Sequence, residues 1–145
     1  DLSKFSDVDI TIIDNVKIPL IIDELKNLDL DFEKVRYGKD TEITQKGQLY
    51  KLVISSKIDV VEGEPACIDL MCKVWHNNSY LMPFDGRFLY TPEIHFSDFE
   101  VIDYHGLQLK LPHKSEEYLK LIYGEDWKTP AEFWTNNDYG NYATL

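Results

Sequence analysis

Residues Ala66–Trp75, ACIDLMCKVW, place the strongest constraint on any fold for this chain. A short apolar run of this kind, followed by the turn-like His76-Asn77-Asn78-Ser79, reads as a buried central strand. It carries an acid, Asp69. A carboxylate inside a sheet is costly unless something meets its charge. The fold must therefore bring a cation, a Lys, an Arg or a turn's donors to Asp69.

A second acidic feature lies near the start, in Ser6-Asp7-Val8-Asp9-Ile10. The β-branched run that follows predicts a strand, so Asp7 and Asp9, two apart, share one face. Carboxylates that close repel one another unless a cation lies between them. If the strands bearing Asp9 and Asp69 are neighbours, Asp7, Asp9 and Asp69 together hold Mg²⁺ (or Mn²⁺), which binds few protein ligands, mostly carboxylates, and shares a substrate's phosphates. The plainer alternatives are a turn residue at Asp7, a strand-edge residue at Asp9 and a Lys or Arg partner for Asp69.

The rest of the pattern predicts an α+β fold. Apolar residues from Ile18 to Leu28 recur every three or four positions, which predicts a helix over Val16–Leu28, capped by Asp14 or Asn15. Strands are expected at Phe32–Tyr37 and Leu49–Ser55, and a loop at Ser56–Pro65. Tyr80–Met82 returns beside the central strand, Pro83–Pro92 reads as loop, and Phe99–Tyr104 with Leu107–Leu111 forms a hairpin about His105-Gly106. Ser115 caps a second helix that Gly124 stops, and the tail after Pro130 lies on the surface. The expected architecture is a mixed, mostly antiparallel sheet with helices on one face, in one domain spanning residues 1–145. The 43% hydrophobic content is enough to fill such a core.

Charge narrows the partners. With 26 acidic against 15 basic residues, the net charge of −11 repels nucleic-acid phosphates and anionic membranes. No apolar run is long enough to span a bilayer, so no transmembrane segment is expected. Cys67 and Cys72, five apart on a strand, point to opposite faces and are expected to stay unpaired, which suits a cytoplasmic protein.

The order of these elements resembles the nucleotidyltransferase superfamily, and within it the LicD/fukutin family of phosphocholine and ribitol-phosphate transferases. SDVDITII is similar to that family's acidic strand and CIDLMCKV to its later Asp-bearing strand. FEVIDYHGLQLKLPHKSEEYLKLIYGEDWKTP follows its closing pattern of hairpin, Pro, helix and Tyr-Gly-x-x-Trp-x-x-Pro, here Tyr123, Gly124, Trp127 and Pro130. The likeness runs from Asp7 to about Pro130. It implies a nucleotidyltransferase-like sheet, a CDP-linked donor, a glycan or small-molecule acceptor and a divalent cation on Asp7 and Asp9. Asp69 would complete the site, as ligand or as catalytic base for the acceptor hydroxyl. Family members occur in the cytoplasm and, in eukaryotes, in the Golgi lumen. The family's Gly-Thr-Leu-Leu-Gly-type motif before the acidic strand is absent here, so the chain is expected to lack an N-terminal segment. A non-catalytic binding domain and another kind of nucleotidyltransferase are the alternatives.

Three further residues are candidates for substrate contact. Lys73 shares the Asp69 face by its offset of four and would meet a phosphate, or else pair with Asp. Arg87, in FDGRF, would meet a phosphate or form a surface ion pair. Trp127 would stack on a base or sugar, or pack the helix end. His76, His95, His105 and His113 show no ligand spacing and read as structural.

Overall fold

The computed structural model describes residues 7–13, 15–61, 64–129 and 135–143, without the side chains of residues 7, 56–61, 64 and 65. The chain forms two compact units, Asp1–Val74 and Trp75–Leu145. Both combine helix with mostly antiparallel sheet, so the fold is α+β. The expected sheet is divided in two, with a separate two-stranded ribbon.

In the first unit, β1 (Asp7–Ile12) leads through a 3-10 turn (Asn15–Lys17) into α1 (Ile18–Asn27), then β2 (Phe32–Arg36), β3 (Leu49–Val61) and β4 (Glu64–Cys72). The sheet order is β1-β4-β3-β2. β4 runs parallel to β1 and antiparallel to β3, which is antiparallel to β2. The Asp69 strand is therefore central, as its sequence predicts, but it ends at Cys72 and does not run on to Trp75. Pro19 falls in the first turn of α1, where its missing N–H leaves no helical bond unmade. Leu25, Leu52 and Leu70 form the buried centre, with Ile12, Ile21, Ile22, Phe32, Leu49 and Ile54 packed around them. The helix thus covers the sheet face that carries Leu52 and Leu70. Strand alternation sends Lys51, Val53, Asp69 and Met71 to the opposite face.

Two local expectations fail here. Ser56–Pro65 is not a loop, because β3 continues to Val61 and β4 starts at Glu64, with a register irregularity between Ser55 and Val60. The β-branched Ile58, Val60 and Val61 favour continued strand despite their acidic neighbours. Asn15 does not cap α1. The residue before the helix is Lys17, which makes no side-chain cap. Asn15 Nδ2 instead donates to the Lys73 carbonyl at 3.3 Å, tying the β1–α1 connection to the end of β4. Asp14, the alternative cap, lies outside the described residues.

The second unit contains β5 (Val74–His76, which begins on the last residue of the first unit), β6 (Ser79–Phe84), β7 (Arg87–Pro92), a 3-10 turn (Glu93–His95), β8 (Phe99–Tyr104), β9 (Leu107–Pro112), α2 (Ser115–Tyr123) and β10 (Tyr142–Ala143). Its sheet is ordered β10-β7-β6-β5, and β8-β9 stands as the ribbon. Pro83–Pro92 is therefore hairpin and not loop. Asp85 (φ 50°) and Gly86 (φ 75°) form a two-residue left-handed turn, as do Asn77-Asn78 and His105-Gly106. Ser115 begins α2 without capping it. Lys114 holds the cap position at φ 54°, and both Ser115 N–H and Oγ–H donate to Glu100 of β8, at 3.2 and 2.8 Å. Gly124, at φ 86°, ends the helix as expected.

The described tail is exposed at Thr135–Asp138, as expected, but its end is built into the sheet. β10 pairs with β7. Asn141 is 2% exposed, its Nδ2 donating to Tyr90 O while Tyr90 N donates to Asn141 O, both at 2.8 Å. Gly140 N donates to Ile122 O, and a Cβ on Gly140 would stand 2.7 Å from Leu121 O. His95 is buried, and its Nδ1–H donates to the His113 carbonyl at 2.8 Å, in keeping with a structural role. Among the described residues no helix is long and apolar enough to cross a membrane.

Candidate functional site

Two strands set the geometry. In the parallel β1–β4 pair, Asp9 is the register partner of Asp69, and Asp7 that of Cys67. Neighbouring strands lie about 4.8 Å apart, so the Asp9 and Asp69 backbones are adjacent and their side chains leave the same face. The condition required for a shared cation, neighbouring strands, is met. The side chain of Asp7 is outside the described residues.

Asp69 is buried, at 7% exposure, and meets a cation already present in the chain. Lys51 Nζ lies 2.5 Å from Asp69 Oδ2. Lys51 is opposite Met71 in the β3–β4 register, two pairs along from the Val53–Asp69 pair and on the same face, so the contact is a cross-strand diagonal. Burial alone would lower the Lys51 pKa. The hydrogen bond and charge of Asp69 outweigh it, with smaller contributions from Tyr50 and Asp9, and the net shift is upward. Asp69 Oδ1 is buried and, among the described residues, accepts no hydrogen bond. One oxygen of the carboxylate is thus engaged and the other is open.

Lys73 follows the last residue of β4. Its N–H donates to Ile12 O at 3.2 Å and its side chain is buried. Burial pushes its pKa down to about 8, while the charge of Asp9 acts in the opposite sense. Asp9 therefore lies in the electrostatic reach of both lysines.

Among the described residues no three His, Cys, Asp or Glu side chains converge as a metal set. The third carboxylate of the expected set belongs to Asp7. Asp9 and the open Oδ1 of Asp69 are the donors that fit a hard divalent cation. Cys67 and Cys72 form no disulfide, and burial raises the Cys72 thiol to about 11, which leaves it an inert core residue.

Arg87 and Trp127 belong to the second unit. Among the described residues Arg87 forms no surface ion pair. Its guanidinium lies over the Tyr142 ring, 3.4 Å from the centroid, and donates to Asn137 Oδ1 at 2.9 Å. It fastens the β6–β7 hairpin to the tail. Trp127 is half-buried, with Lys128 Nζ 5.0 Å from its ring centroid. Pro130, the last residue of the closing pattern, is outside the described residues.

Lys51 is the site residue that sequence reasoning missed. Its signal was present in LYKLVIS, where a lone cation interrupts an apolar strand, as Asp69 interrupts the next one. Opposite charges on consecutive strands are natural cross-strand partners.

No family model, no curated protein and no solved structure matches this chain.

Proposed function

We propose that the chain is a metal-dependent transferase of the nucleotidyltransferase type. It moves a phospho-alcohol, of the phosphocholine or ribitol-phosphate kind, from a CDP-linked donor to a glycan hydroxyl. The observation that carries this reading is the register pairing of Asp9 with Asp69 on adjacent parallel strands, with Asp69 Oδ1 buried and open. The resemblance of the acidic strand, the Asp69 strand and the closing Tyr123–Trp127 pattern to the LicD/fukutin family supports the substrate class.

Asp7, Asp9 and Asp69 would hold Mg²⁺ or Mn²⁺. A divalent cation so bound neutralises donor phosphate charge and aligns it for in-line displacement. The acceptor hydroxyl oxygen forms a bond to the phosphorus bearing the alcohol. The bond from that phosphorus to the CMP oxygen breaks, CMP leaves, and the hydroxyl proton passes to a carboxylate. Asp69 takes that proton, or serves as ligand, through Oδ1. Lys73 would neutralise a phosphate on the same side. Arg87 and Trp127 remain secondary candidates for donor contact, since Arg87 is already engaged by Tyr142 and Asn137.

One observation favours a second reading. Lys51 offsets the burial of Asp69 without any metal, so the pair also suits a non-catalytic binding domain. Another nucleotidyltransferase, acting on a small molecule or protein, would use the same carboxylates.

Calorimetric titration with Mg²⁺ and Mn²⁺, alongside CMP release from CDP-choline and CDP-ribitol, tests the proposal. Binding that is lost in both Asp9→Asn and Asp69→Asn supports the metal site. Equal binding in wild type and both variants sinks it. Metal binding without CMP release from any donor favours the binding-domain reading.

A further inference from the structure

We propose that Lys51 sets the cation preference of this site by restricting Asp69 to a single coordinating oxygen, an inference that rests on the metal reading above. Lys51 occupies Oδ2 at 2.5 Å, and Oδ1 is buried with no hydrogen bond among the described residues. A bidentate grip on a metal needs both oxygens at once. With Oδ2 held by an ammonium, Asp69 can offer only Oδ1.

The pair is positioned to persist. The Lys51 side chain is 23% exposed and that of Asp69 10%, and both belong to hydrogen-bonded neighbouring strands. Asp9, the register partner of Asp69, also contributes to holding the Lys51 charge.

One-oxygen ligation discriminates between cations. Ca²⁺ takes about six to eight oxygens in loose geometry and commonly uses bidentate carboxylates, whereas Mg²⁺ demands a near-octahedral set and accepts carboxylates singly. A site limited to Oδ1 of Asp69 therefore suits Mg²⁺. The ammonium also repels any metal nearby. Because both ions carry the same charge, that repulsion weakens both alike and leaves their affinity ratio unchanged.

The test is calorimetric titration of the full chain with magnesium chloride and, separately, calcium chloride. Lys51→Met frees Oδ2, and the Ca²⁺-to-Mg²⁺ affinity ratio is expected to rise about tenfold, within the range by which residues behind a metal ligand alter affinity. Lys51→Arg retains the charge but presents a fork that takes both carboxylate oxygens. It is expected to reduce binding of both ions to the level of Asp69→Asn. If Lys51→Met does not fold, as judged by circular dichroism, Lys51→Arg alone decides. An unchanged ratio in folded Lys51→Met, or wild-type binding in Lys51→Arg, overturns the role of Lys51 and leaves the metal site standing. Wild-type protein that binds neither ion overturns the metal reading itself.

Discussion

Lys51 and Asp69 form a cross-strand ion pair, with Nζ 2.5 Å from Oδ2, on the sheet face opposite the Leu25–Leu52–Leu70 core. The partners are unequally placed, because the lysine side chain is 23% exposed and the carboxylate 10%. Removing the lysine strands a buried charge, while removing the carboxylate leaves a long side chain able to reach water. Lys51→Met is therefore expected to cost about 3 kcal/mol in urea unfolding. Asp69→Leu should cost less, and the double variant less than the two single losses combined. Strictly additive losses would show that the pair contributes no coupling.

Lys73 gives a pH dependence of the opposite kind to an ordinary ion pair. Its folded pKa, about 8, lies below its usual 10.5 because the ammonium is buried. Between those values the unfolded chain binds more protons, so this residue makes stability rise with pH. Below pH 8 the cost is present in full. Lys73→Met should stabilise at neutral pH by up to about 3 kcal/mol, the equivalent of that shift. The advantage should shrink as pH rises from 8 to 10.5. Denaturant midpoints of both proteins across that range would show a pH-independent difference if the lysine were not perturbed.

The Glu100 carboxylate is expected to make the second unit acid-sensitive. The Ser115 hydroxyl, then the Ser115 N–H, donate to it and hold its pKa below the ordinary 4.5. A depressed carboxylate contributes stability above its unfolded pKa and loses it as pH falls through the folded value. Glu100→Ala should thus lower the thermal midpoint at pH 7, with the difference from wild type closing in acid. A difference that persists unchanged in strong acid, where the carboxylate is protonated in both states, would show that its charge is not the source.

Gly140 approaches the end of α2 too closely for any side chain. A Cβ there would lie 2.7 Å from the Leu121 carbonyl oxygen, and backbone on both sides limits relief. Gly140→Ala is expected to cost about 1–3 kcal/mol, as forced overpacking does. Gly38, where a Cβ would meet nothing within 4 Å, supplies the control. Gly38→Ala should leave the urea midpoint near that of wild type, and equal losses in the two variants would refute the steric account.

Periodicity carried the parts of the fold that rest on local pattern. The helix at Ile18–Asn27 and the central Asp69 strand are legible from it, because burial writes itself into spacing, whereas the β8–β9 hairpin, exposed along most of its length, is legible from its His105-Gly106 turn. What escaped depended on partners distant in the chain. Ser115 looked like a cap, but the acceptor at that helix end is Glu100 of another strand. Asp85-Gly86 is a hairpin turn whose flanking prolines masked it. At the site, alternation put Asp7 and Asp9 on one face of a strand, the adjacency of the Asp9 and Asp69 strands was a condition that the β1–β4 pairing meets, and a Lys partner for Asp69 stood open as an alternative. That the partner is Lys51 follows from the β3–β4 register, which no single strand encodes.

The parallel pairing of β1 with β4 has a kinetic consequence. Lys51 and Asp69 sit on consecutive antiparallel strands, whereas Asp9 reaches them only when distant parts of the chain meet, as in the nearby Asn15–Lys73 contact that spans 58 residues. Contacts of such sequence separation close slowly during folding. Among the described residues β1 is also a border strand of its sheet. Local opening that releases it would remove Asp9 and leave the Lys51–Asp69 pair intact. The acidic pair is thus a late-assembled and early-fraying element. Hydrogen exchange at the β1 amides would report how often the site comes apart while the hairpin beneath it stays folded.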